Sequence, residues 1–102
     1  MKRPDRVFEA LGDATRREVV RRLSEDGPRT ATELAADLPV SRQAVSKHLA
    51  ALSEAGLVRS ERHGREHRYR LTPAPLAEAV GWMASVGAEW DERLERLRRR
   101  LR

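Results

Sequence analysis

Residues 42–48 read Arg-Gln-Ala-Val-Ser-Lys-His. If this stretch is helical, Gln43, Ser46 and Lys47 fall within about one turn and share a face, while Val45 and Leu49 point inward. The chemistry of that face suits the edges of bases in a major groove. Glutamine can bridge an adenine edge, serine is permissive, and lysine reaches guanine acceptors or a phosphate. The same residues would also make an ordinary solvated helix face, so their surroundings must decide between the two. Ser41 and Arg42 at the start of this helix, and Thr30 at the start of the preceding one, suit phosphate instead, because helix N-termini and their caps bind anions.

A second group lies in "RHGREH", residues 62–67. Arg62 and Arg65 flank Gly64, and arginines at a hairpin tip fit the narrow, negative minor groove. Charges there would equally blunt an edge strand. Arg68 and Arg70 are weaker candidates. His48, next to an inward-pointing leucine, reads as a packing residue. His63 and His67 bracket the tip but lack a third ligand, so no metal site is expected. With no cysteine, no serine in a strand-to-helix elbow and no glycine-rich phosphate loop, no enzyme chemistry and no cofactor are expected either.

Charge supports a polyanion partner. The formal net charge is +5. Residues 1–40 carry 8 basic and 8 acidic groups, so they cancel. Residues 41–70 carry 7 basic against 3 acidic, which confines a net +4 to the stretch with the candidate readers. Residues 71–92 hold 4 acidic groups and no basic one, and residues 93–102 hold 6 basic against 1 acidic. The basic end is most simply a solvated C-terminus that complements a helix dipole. The lack of cysteine, of a long apolar run and of a signal peptide leads us to expect a cytoplasmic protein without a membrane partner.

The elements that would position these residues are punctuated clearly. "RVFEALGD" reads as a first helix presenting Val7, Phe8 and Leu11, with Asp13 capping a second that stops at Gly27 and Pro28. Thr30 with Glu33 forms a capping box for a short third helix, which Pro39 ends. Ser41 caps a fourth helix, buried through Val45, Leu49 and Leu52, that stops at Gly56, where Leu57 folds back as an apolar contact. The period then changes from 3.6 to 2, and Val58, Tyr69 and Leu71 flank the polar turn of a hairpin with Gly64 at its tip. A last helix starts near Pro73 or Pro75 and runs to the end. The expected fold is mainly α with a small β-hairpin, a winged helix-turn-helix of order α-α-α-α-β-β-α in a single domain over 1–102.

At "SRQAVSKHLAALSEAGLV" followed by "RSERHGREHRYRL" the chain resembles the ArsR/SmtB family of winged-helix repressors. "FEALGDATRREVVRRL" looks like that family's opening helices, "VSKHLAALSEAGLV" like its recognition helix and "HGREHRYRL" like its wing. The resemblance implies DNA binding as a dimer at operators near promoters, with the positions of Gln43, Ser46 and Lys47 facing bases. Many members sense metal through a cysteine pair near the third helix or through His and carboxylates on the last. Here the matching positions are Thr30 and Thr32, and the last helix offers Asp91, Glu92 and Glu95 without a histidine, a poor set for a selective zinc site.

The last helix carries Leu76, Val80, Met83, Gly87, Trp90, Leu94, Leu97 and Leu101 at alternating spacings of four and three, a heptad seam too long for so small a domain to cover. Leu, Ile, Val and Phe total only 21 of 102 residues, so a lone protomer would be marginal. Both point to a homodimer through residues 75–101, with Val7, Phe8 and Leu11 as a second layer. The expected function is a sequence-specific transcriptional regulator, a homodimeric repressor on an inverted-repeat operator in double-stranded DNA, with its effector unknown. The alternative is a winged-helix protein-interaction module that binds no nucleic acid.

Overall fold

The computed structural model describes residues 4–101, in the order α1 (Asp5–Ala10), α2 (Ala14–Asp26), β1 (Arg29–Thr30), α3 (Ala31–Asp37), α4 (Arg42–Glu54), β2 (Val58–His63), β3 (Glu66–Leu71) and α5 (Ala74–Arg100). The three caps form as the residue types dictate. Asp13 accepts the Arg16 N–H at 3.0 Å, and Ser41 Oγ accepts the Ala44 N–H at 3.1 Å. Thr30 Oγ1 accepts from the Glu33 N–H while Glu33 Oε1 accepts from the Thr30 N–H, both at 3.1 Å. Each satisfies backbone donors that would otherwise be orphaned at a helix start.

α4 ends in a Schellman motif. The Leu57 N–H reaches back to the Leu52 carbonyl at 2.9 Å and the Gly56 N–H to the Ser53 carbonyl at 3.0 Å. The turn requires the left-handed Gly56, φ 76°, and delivers Leu57 into the core with no exposed surface. Val58 follows it into the core and starts β2.

The sheet has three antiparallel strands in the order β1-β3-β2, and β1 is an addition to the expected hairpin. Arg29 pairs with Tyr69 and Thr30 with Arg68, so Thr30 is both the last strand residue and the cap of α3. This ties the start of α3 to the base of the wing. In the hairpin, Val58 pairs with Leu71, Ser60 with Tyr69 and Arg62 with His67. These six share the face toward the body, and Arg59, Glu61, His63, Glu66, Arg68 and Arg70 share the outer one.

Val19, Leu23, Leu34, Leu38, Val45, Leu49, Leu52, Leu57 and Val58 form the centre of the core. α5 joins it only at its start. Ala79 is buried, Leu76 is half-buried, and the Trp82 ring meets Phe8 of α1 edge-on at 5.5 Å between centroids. Beyond that the helix runs clear of the body, and the molecule measures 66 × 27 × 20 Å. Val7 is 5% exposed and belongs to the protomer's own core, so it lies beneath any outer surface of α1; Phe8 and Leu11 are half-buried. Beyond Leu76 the residues of the seam are open: Val80 is 60% exposed, Met83 48%, Trp90 55%, Leu94 51%, Leu97 52% and Leu101 79%.

Candidate nucleic-acid interface

α4 is held by one face and open on the other. Val45, Leu49 and Leu52 have no exposed surface, and Gln43, Ser46 and Lys47 are all exposed. This division follows from 3.6 residues per turn with an apolar side chain at every third or fourth position. Ser41 and Arg42 are exposed at the helix start. The Ser41 hydroxyl oxygen is taken by the cap, which leaves its O–H free to donate.

His48 is half-buried, and its Nδ1 accepts a hydrogen bond from Arg16 Nε at 3.4 Å. That bond links α4 to α2 and fits the packing role. Arg16 as its partner was not visible in the sequence, being 32 positions away.

At the start of α3 the capping box occupies the Thr30 amide. The Thr30 backbone N–H, and then its hydroxyl, hold the Glu33 carboxyl below the usual carboxylate range. A carboxylate therefore already sits where an anion would approach, and the Thr30 amide and hydroxyl are both turned to it.

On the outer face of the wing the charges are paired. Glu61 lies 3.3 Å from Arg59, 3.5 Å from Arg70 and 3.6 Å from His63, and Glu66 lies 3.4 Å from Arg68. At the tip, Arg62 Nε donates to the Gly64 carbonyl at 3.1 Å, and Arg65 has no ion-pair partner among the described residues. Gly64, φ 64°, is the first of the two loop residues, as a hairpin with glycine in that place requires.

The structure also brings together two groups that the sequence kept apart. Arg42 and Ser46 of α4, Thr30 and Thr32 at the start of α3, and Arg65, His67 and Tyr69 of the wing line one open groove of about 480 Å³. Gln43 and Lys47 lie outside its lining. His63 and His67 fall on opposite faces of the hairpin, so they do not converge. Among the described residues no group of three or more His, Cys, Asp or Glu is placed to hold a metal ion, and no helix is long and apolar enough to cross a membrane.

This arrangement of helices, sheet and wing is shared. A helix-turn-helix domain model matches residues 11–61, from the end of α1 into β2. A helix-turn-helix-type transcriptional regulator of Mycobacterium tuberculosis is 51% identical over 74 residues, which cover 72% of this chain and 68% of that relative. An ArsR-like transcriptional regulator from Rhodococcus sp. RHA1 superposes with a TM-score of 0.82 at 46% identity, covering 92% of this chain and 88% of that one. The chain belongs to the ArsR family of winged helix-turn-helix transcriptional regulators. A homodimeric winged helix-turn-helix DNA-binding domain from Mycobacterium bovis, a possible member of the family, has a TM-score of 0.66 at 27% identity over 83% of this chain and 78% of that one. Membership makes the chain a DNA-binding regulator and not an enzyme, and it does so without a cysteine.

Proposed function

We propose that the chain acts as a homodimeric repressor that reads an inverted-repeat operator with Gln43, Ser46 and Lys47. The carrying observation is the open face of α4, which presents these three side chains while the opposite face is fully buried. Arg42 and Ser41 fix the phosphate backbone with Thr30 beside them at the start of α3, and Arg62 and Arg65 carry the wing tip to the adjacent minor groove. Dimerisation through residues 75–101 is supported by the exposed seam from Val80 through Met83, Gly87, Trp90 and Leu94 to Leu97 and Leu101, with Phe8 and Leu11 beside it. The homodimeric relative supports it independently. Two copies would set their α4 helices about 34 Å apart, one helical turn of DNA, and occupancy of a promoter would block transcription. The chain 1–102 works as one unit in this reading.

The test is duplex binding by the purified protein between about 50 and 200 mM salt, because phosphate contacts release counterions and make affinity fall steeply with salt. We expect micromolar or tighter binding at the low end and a loss of at least tenfold across the range. No binding to any duplex at low salt would overturn the proposal in favour of a protein-interaction module.

A further inference from the structure

The groove between α4 and the wing contains a residue with no part in the reading above. His67 is on the body-facing side of β3, paired with Arg62 across the hairpin, and it lines the groove with Arg42, Ser46 and Arg65. The charged groups facing this position are few. From α4 comes Arg42, and from the hairpin come Arg62, Arg65 and Glu66. From α3 comes Glu33, with Arg29 and Arg68 near its carboxylate. Both carboxylates are engaged, Glu66 by Arg68 at 3.4 Å and Glu33 by the Thr30 amide at 3.1 Å. Arg42 and Arg65 have no carboxylate partner within ion-pair distance among the described residues. The groove is therefore cationic on one side and closed to further acid pairing on the other.

We propose that this groove seats a DNA phosphate and that His67 is an additional contact to it, taking up a proton as the phosphate enters. The proposal rests on DNA being the partner. A phosphate against an imidazole favours its charged form, and imidazole is the side chain whose charge changes between about pH 5 and 8. Binding is thus coupled to proton uptake, so affinity rises as pH falls. His63, on the outer face beside Glu61, takes no part.

The experiment measures binding of the full chain to a random-sequence duplex of about 30 base pairs across a salt series at pH 5.5 and 8.0. One additional phosphate neutralised steepens the slope of log affinity against log salt by about 0.9. The wild type should show that steepening at pH 5.5 relative to pH 8.0, and His63→Gln should keep it. His67→Gln should show the shallow slope at both pH values, and His67→Arg the steep slope at both. A His67→Gln protein that keeps the wild-type pH difference overturns the proposal, as does a wild type whose slope is the same at both pH values while it binds. Absence of duplex binding at either pH overturns the DNA reading itself, and this proposal with it.

Discussion

In the proposed mode of binding, Gln43 and Arg65 divide the work by their chemistry. A glutamine amide offers a donor and an acceptor in fixed relation and distinguishes bases, whereas an arginine at an exposed hairpin tip responds to charge density. Gln43→Ala should lose about 1–3 kcal/mol of discrimination at one position of each half-site while non-specific affinity is kept, as competition between single-base variants would show. Arg65→Ala should weaken every duplex similarly and lower the salt slope by about 0.9. Equal losses on specific and random DNA for both variants would refute the role given to Gln43. At this scale the sequence was informative about type and face, because 3.6-residue periodicity places Gln43, Ser46 and Lys47 opposite Val45 and Leu49. It could not show that Ser46 turns into a groove shared with the wing, or that Glu61 sits between Arg59 and Arg70, because those neighbours are brought together by strand register and packing.

The elements themselves were legible because their ends are chemically marked. Asp13, Thr30 with Glu33, and Ser41 accept backbone N–H groups where expected, and Gly56 makes the turn that sends Leu57 inward. Replacing Gly56 by alanine meets only ordinary contact, with Pro75 at 3.6 Å from the added carbon, so its cost is the left-handed backbone, about 1–2 kcal/mol. That should lower the thermal midpoint by roughly 4–8 °C per kcal/mol in a domain of this size. The caps also predict acid sensitivity. The Arg16 N–H holds Asp13 below its ordinary value of 3.8, and Thr30 holds Glu33 below 4.5. Because both are depressed in the folded state, their contribution is complete above these ordinary values and is lost as pH falls below them. Thermal melts from pH 6 down to 2 should show the decline, and Glu33→Gln should flatten part of it. The strand β1 escaped the sequence because two residues cannot display a period of two, and its partner in β3 lies about forty positions away.

For the whole molecule the deciding feature is α5, a 27-residue helix docked on the body by Leu76, Ala79 and Trp82 and open along Val80 to Leu101. The heptad spacing revealed an apolar seam but not the neighbouring stripe that the protomer uses for itself, since adjacent stripes on one helix look alike in sequence. Val7 was lost from the outer surface for the same reason: α1 is too short for its pattern to separate the inner face from the outer. Leu94→Glu together with Leu97→Glu should convert a dimer to a monomer in sedimentation equilibrium and leave the helical signal of the body in place. Operator affinity should fall by more than tenfold, because two half-sites are no longer held by one particle. The most direct measurement is selection of bound sequences from random duplex DNA by the purified chain. Our account predicts enrichment of an inverted repeat whose half-site centres lie about 10–10.5 base pairs apart, with information lost at one position per half-site in Gln43→Ala. Enrichment of a single asymmetric site, or none at all, would contradict it.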